Sequence, residues 1–96
     1  MTINVTMQFV GVLHEVFKKK QTQLKFAQSP TVKEVVEKLA ETSPMSRRNV
    51  LENETGQIPP ALLILVNEKE IGALDGPETR VKDGDKLVLI SISHGG

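Results

Sequence analysis

The sequence predicts an α+β fold, a mixed sheet packed against one main helix. Three observations predict it. Residues 3–10 alternate apolar and polar side chains, as a half-buried strand does. Residues 32–40 carry apolar side chains at helical spacing. Two later segments, the continuous apolar run 61–66 and the mostly apolar 86–92, have strand length and are bounded by turn residues.

In the first strand Ile3, Val5, Met7 and Phe9 point one way, and Asn4, Thr6 and Gln8 the other. Gly11 ends it. The stretch 12–21 holds Lys18, Lys19 and Lys20, the one dense basic run. It reads as the long turn of an opening hairpin whose second strand contains Leu24 and Phe26. The helix is the clearest element. Thr31 followed by Glu34 fits a capping box. Val32, Val35, Val36, Leu39 and Ala40 then form one apolar stripe, with Lys33, Glu34, Glu37, Lys38 and Glu41 on the wet side. Ser43 and Pro44 are expected to end the helix near Thr42.

Residues 45–60 are long and polar, with Arg47, Arg48, Glu52, Glu54 and Gly56. A plain loop and a short helical turn over 47–51 both fit. The run 61–66 suits a central strand with apolar side chains on both faces. Asn67 and Glu68 make a turn, Ile71 starts a short edge segment, and Leu74-Asp75-Gly76-Pro77 is a further turn. Asp83-Gly84-Asp85 turns the chain into the last strand, 86–92, and Ser93-His94-Gly95-Gly96 follows. The first and last strands are both candidates for the sheet centre. The order hairpin, helix, strand, short strand, strand is that of a β-grasp roll. One domain over residues 1–92 is expected, with residues 93–96 as a flexible Gly-Gly tail.

Composition narrows the function. The 96 residues carry 12 basic and 12 acidic side chains, so bulk electrostatics give no attraction to nucleic acid or to an anionic membrane. The absence of Cys excludes disulfides, thiolate metal sites and cysteine nucleophiles. With neither Trp nor Tyr, a base-stacking platform is poor. The longest apolar run is far below the roughly 20 residues of a membrane span, and the start does not read as a signal peptide. A cytoplasmic monomer is the expectation.

Side-chain chemistry is sparse. His14 sits beside Glu15 and His94 near the end, and two lone His residues make poor metal geometry; His14 reads as solvent-facing. Asp83 and Asp85 flank Gly84 as a turn signature before they suggest a metal site. Lys18 to Lys20, and Arg47 with Arg48, read first as solvated surface and second as docking patches. No nucleophile elbow and no phosphate-cradling glycine spacing occurs.

The end of the chain is the remaining feature. Residues 93–96 span roughly 13 Å when extended, at about 3.3 Å per residue. Gly95 and Gly96 lack a Cβ and can enter a narrow channel. The carboxylate of Gly96 is then the one reactive group. It becomes an electrophile when another enzyme adenylates it with ATP, and a sulfur nucleophile can then displace AMP. The product is a thiocarboxylate, which delivers sulfur, or a thioester, which can pass the chain to an amine. Neither route needs a catalytic side chain on this chain.

Residues 60–67, the Asp83-Gly84-Asp85 turn with the strand after it, and His94-Gly95-Gly96 resemble the ubiquitin-like sulfur carriers. Within that group the sequence is most similar to the ubiquitin-related modifiers and archaeal small modifier proteins, then to the small subunit of molybdopterin synthase. The resemblance implies a β-grasp fold and a chain that is a protein co-substrate, not an enzyme. It implies no bound cofactor of its own, with ATP used by an activating enzyme. Gly96 would be the activated residue and Gly95 its neighbour. The implied partners are that ATP-dependent activating enzyme, and either target proteins joined through lysines or a molybdopterin synthase large subunit. Sulfur transfer for tRNA thiolation or molybdopterin synthesis, and conjugation to lysines, are both implied. The rival is a non-covalent β-grasp interaction module whose glycines are a loose end.

A partner surface is expected on the last strand. A helix covers one sheet face, so one of the two side-chain sets of this strand is left as an apolar stripe. The ubiquitin-like pattern, counted back from Gly-Gly, puts Leu87 and Leu89 inside. Val88, Ile90 and Ile92 then face outward and form the partner-binding surface with His94. Cover by residues 45–60 or by a second copy is the alternative.

Overall fold

Strand alternation, one capped helix and a set of tight turns define the architecture. The computed structural model describes residues 2–92. In chain order these form β1 (Ile3–Val10), α1 (Val12–Phe17), β2 (Gln21–Phe26), α2 (Val32–Ala40), α3 (Pro44–Val50), β3 (Leu62–Val66), β4 (Lys69–Glu70) and β5 (Lys86–Ser91). Two 3₁₀ turns, Ile71–Ala73 and Gly76–Glu78, lie between β4 and β5. The sheet order is β2-β1-β5-β3-β4, with β1 and β5 parallel and the remaining pairs antiparallel. The first and last strands are thus neighbours, and β5 is central.

One face of the sheet carries the core. Val5, Met7, Phe9, Ile64, Leu87 and Leu89 from the strands meet Val32, Val35, Val36 and Leu39 of α2. The capping box forms as the sequence predicts. Glu34 N–H donates to Thr31 Oγ1 at 3.2 Å, and Thr31 N–H donates to Glu34 Oε1 at 2.8 Å. The strand-like segment before β5 clamps the same helix end, with Val32 N–H donating to the Thr79 carbonyl at 2.9 Å and Val81 N–H to the Pro30 carbonyl at 2.8 Å.

Four expectations change. Residues 12–21 are not one long turn: α1 occupies the first half. Leu13 is fully buried, and Phe17, four residues on, stacks on Phe9 with ring centroids 4.3 Å apart. Leu13, Val16 and Phe17 share a helix face, and Lys18 ends the helix in the left-handed conformation at φ 57°. Second, α2 stops at Ala40, and Ser43-Pro44 begin the next helix rather than end the last. Ser43 Oγ accepts from Ser46 N–H at 3.1 Å with Pro44 in the first turn, where its missing N–H costs nothing. The first half of 45–60 is therefore α3, whose Val50 is buried together with the following Leu51. Third, β3 is not central. It lies beside the two-residue edge strand β4, and its apolar run alternates between core and outer face. Fourth, Ile71 opens a 3₁₀ turn, the edge pairing being made by Lys69 and Glu70.

Two turns fasten the centre of the sheet. Asn67 and Glu68 both adopt positive φ, 48° and 75°, the requirement of a tight hairpin turn. The Asn67 side chain accepts from Lys86 N–H at 3.0 Å and donates to Asp85 Oδ1 at 2.8 Å. The other Asp85 oxygen accepts from Lys82 N–H at 2.7 Å. Asp83 accepts from Asn4 N–H at 2.7 Å, and Gly84, at φ 87°, returns an N–H to the Asn4 carbonyl at 2.8 Å. The two aspartates act as caps that join the starts of β1 and β5 to the β3–β4 turn.

Charge-assisted bonds of this kind contribute about 1.5–3 kcal/mol each when partly shielded. Asp85→Ala should therefore lower unfolding free energy by about 2 kcal/mol, read as a lower urea midpoint at unchanged slope. A loss below about 0.5 kcal/mol would show that the turn holds without its carboxylate.

Candidate functional site

The backbone period of two divides β5 into two columns. Leu87 and Leu89 point into the core and are fully buried. Val88 and Ile90 are half-buried on the opposite face, and Ile92, just past the strand, is 44% exposed. Their neighbours follow from the register. Val88 lies opposite Gln8 of β1 and Leu65 of β3, and Ile90 opposite Val10 and Leu63. Ile92 N–H donates to the Ala61 carbonyl at 2.6 Å, which fixes where the chain leaves the sheet.

The outer face therefore carries an apolar patch of Val10, Leu63, Leu65, Val88, Ile90 and Ile92, flanked by Thr6, Gln8 and Lys86. Helices α1, α2 and α3 all send their buried side chains to the other face. Residues 45–60 do so too, since Val50 and Leu51 join the core and Ile58 packs against it. Beside Ile92 lies an open cleft of about 400 Å³, lined by Arg48, Asn49, Pro59, Ala61, Leu62 and Ser91. The patch and this cleft meet at the end of β5.

Of the residues singled out in the sequence, Val88, Ile90 and Ile92 are brought together on one surface. His94, Gly95 and Gly96 lie outside the described residues. His14 is exposed on α1, apart from the patch. Lys18 to Lys20 follow α1 at the opposite edge of the sheet. Both carboxylate oxygens of Asp85 and one of Asp83 are engaged by backbone and Asn67 donors, and among the described residues no group of three His, Asp or Glu is spaced to hold a metal. Among the described residues no helix is long and apolar enough to cross a membrane.

Sequence reasoning missed Val10, Leu63 and Leu65, and held Arg48, with Arg47, only as a second reading as a docking patch. The signal for the leucines was present, because a strand apolar on both faces with helices on only one must expose its second set. For Arg48 the signal was its charge beside Arg47, without a position. Its place at the end of β5 depends on α3, which sequence reasoning left undecided between helix and loop.

Comparison with known proteins gives consistent matches. The family model described as Urm1 (Ubiquitin related modifier) matches residues 4–96. The chain is 38% identical over 52 residues to ubiquitin-related modifier 1 of Laccaria bicolor, a match covering 54% of this chain and 43% of that protein. The match thus spans less than half the length of that curated relative. The solution structure of Urm1 from Trypanosoma brucei is similar over 99% of this chain and 97% of that one, with 30% identity and a TM-score of 0.77. The small archaeal modifier protein 1 of Methanosarcina acetivorans shares the fold over 100% and 99% of the two chains, at 22% identity and a TM-score of 0.85. The β-grasp, ubiquitin-like architecture is thereby established.

The two columns of β5 should respond differently to truncation. Leu89→Ala should cost about 3 kcal/mol, because it leaves a cavity in a fully packed core. Ile90→Thr on the outer column should cost less than about 1 kcal/mol. Equal losses in urea unfolding would mean that the outer column is also packed.

Proposed function

The chain belongs to the Urm1 (Ubiquitin related modifier) family, and from that premise we propose that it is a sulfur carrier and protein modifier activated at Gly96. It is the co-substrate of an ATP-dependent activating enzyme and performs no catalysis itself. The observation that supports this reading best is that the family match runs through Gly96, directly after a central strand that ends beside an apolar outer face.

The chemistry requires little of the chain. The Gly96 carboxylate attacks the α-phosphorus of ATP, pyrophosphate leaves, and an acyl adenylate forms. A sulfur nucleophile attacks the acyl carbon and AMP departs. A sulfide-level donor gives the thiocarboxylate, which can deliver sulfur to a small molecule or to tRNA. An enzyme thiol gives a thioester, from which a lysine amine can take the acyl group as an isopeptide. Gly95 and Gly96 let the arm thread a narrow channel to the nucleotide. Val88, Ile90 and Ile92, with Val10, Leu63 and Leu65, hold the folded domain against the activating enzyme. Arg48 lines the cleft beside Ile92, and His94 follows Ile92 by two residues in sequence; both serve as polar contacts to the partner.

Binding anchors are expected near the centre of an apolar patch. Ile90, flanked on both sides by apolar partners, is the central one.

Four outcomes test the reading. Deleting Gly96 should abolish ATP–pyrophosphate exchange by the host's activating enzyme and leave the urea midpoint unchanged; normal exchange would refute activation at this residue. Ile90→Lys should lower kcat/KM for the same reaction at least tenfold with little change in stability, and an unchanged value would remove the outer face from the partner surface. In intact-mass spectra of tagged chain from its host, one oxygen should be replaced by sulfur. Where conjugates form, trypsin should leave the remnant of residues 87–96 on the modified lysine, since Lys86 is the last basic residue.

A further inference from the structure

The sheet has a second unoccupied feature, unrelated to Gly96. Strand β2 is an edge strand. Its register with β1, together with the bond from Phe9 N–H to the Lys20 carbonyl at 2.8 Å, makes Thr22, Leu24 and Phe26 the residues that exchange hydrogen bonds with β1. The backbone groups of Gln21, Gln23 and Lys25 therefore point away from the sheet. At Lys25 the carbonyl is occupied: Lys38 Nζ donates to it at 2.5 Å and sits 4.7 Å from the Phe26 ring centroid. Gln21 and Gln23 have no such cover among the described residues. An uncovered edge is a template for another strand, and proteins commonly blunt it. Here the blunting stops halfway.

A cavity lies beside the uncovered half. It measures about 190 Å³ and is lined by Phe9, Phe17, Leu24, Leu39 and Thr42, with Lys19 at its mouth. It opens on the helical side of the sheet, the side to which Thr22 and Leu24 point. An extended chain added to β2 would send every second side chain to that side. A cavity of about 150 Å³ can hold a benzene-sized group when its walls are apolar. This one has comparable volume, with an apolar wall of phenylalanines and leucines and a polar one that includes Thr22, Ser43 and Ser46, room for one branched aliphatic or phenyl side chain laid on the apolar wall. Charge along this strand and its flanks has one sign: Lys18, Lys19, Lys20 and Lys25 fall in a stretch, residues 16–33, that holds no Asp or Glu, although the chain as a whole is neutral.

We propose that the β2 edge captures an extended acidic peptide of a partner protein by strand addition. Gln21 and Gln23 supply the main-chain bonds, the cavity takes one apolar side chain, and Lys18 to Lys20 meet flanking carboxylates. A second copy of this chain fits less well, because an antiparallel β2–β2 pair would bring the Lys18 to Lys20 run of each copy toward Lys25 of the other.

The test uses the isotopically labelled full chain and a blocked synthetic peptide, Asp-Glu-Glu-Val-Thr-Leu-Thr-Val, together with its reversed sequence. Saturable shifts at the Gln21 and Gln23 amides and the Leu24 and Leu39 methyls, with at least tenfold slower amide exchange at Gln21 and Gln23, are expected for one orientation. Gln23→Pro removes an outward N–H without touching the β1 ladder and should weaken binding at least tenfold. If that variant does not fold, Lys18→Glu/Lys19→Glu/Lys20→Glu, which alters only side chains, should weaken it at least tenfold. The proposal is overturned by no saturable shift with either peptide, or by shifts centred on Val88 and Ile90. It is equally overturned by shifts of lysines alone that vanish in high salt, or by a peptide-free dimer whose Gln21 and Gln23 amides are already protected. None of these outcomes bears on activation at Gly96.

Discussion

The register of β5 between β1 and β3 is the constraint on which the rest of this molecule depends. The strand is central, and its side chains alternate with period two. A slip of one residue would carry Val88 and Ile90 into the core and turn Leu87 and Leu89 out to solvent. The register is set at the strand's start, where the Asp85 backbone and side chain reach three segments at once. Its carbonyl accepts from Thr6 N–H at 3.0 Å, and its carboxylate accepts from Lys82 N–H and Asn67 Nδ2. The positive φ values at Asn67, Glu68 and Gly84 place those groups within reach. A carboxylate sharing backbone donors with a neighbouring turn allows one alignment of β1, β3 and β5. The fixed register then determines where Ile92 leaves the sheet.

That alignment divides two tasks between the faces. The helical face carries the stability, with Met7, Leu13, Leu39, Ile64, Leu87 and Leu89 all fully buried. The outer face carries a smaller apolar surface that is only half-buried. Under the proposed function the reactive group is the terminal carboxylate, and such a chain has no use for a pocket of tuned acids and bases. The needs of such a co-substrate are a rigid handle and an arm at a defined place, and a central strand meets both better than an edge strand would. Edge strands fray, whereas β5 is paired along both sides.

Much of this was legible in the sequence, for identifiable reasons. The α2 start and the Asn67 and Asp83-Gly84-Asp85 turns follow from local rules, a capping box and turn-forming residues. Period two divides the last strand into two sets, and the resemblance to ubiquitin-like proteins picks Leu87 and Leu89 as the inward one. Helix α1 was not legible as such. Its six residues lie between a glycine and three lysines, and Leu13 and Phe17 gain their meaning only when Phe9 stands across from them. The Ser43-Pro44 pair was ambiguous by nature, since Ser-Pro both follows a helix end and starts a new helix. The outer patch was half legible: Val88, Ile90 and Ile92 from their own strand, but Val10, Leu63 and Leu65 only from the pairing register. The uncovered half of β2 had no sequence signal, because which backbone groups face outward depends on the partner strand.

The two surfaces can act independently because of what lies between them. Adjacent strands are spaced about 4.8 Å apart, so a chain added beyond β2 would lie roughly 14 Å from β5. On the outer face the intervening columns are Thr6 and Gln8 of β1, then Gln21, Gln23 and Lys25 of β2. These are polar, so a partner seated on Val88 and Ile90 has no apolar path leading it to the edge. A strand added at β2 gains its side-chain contact on the opposite face, over Leu24 and Leu39. The same sheet can thus present an apolar handle beside its arm while its far edge holds a second chain.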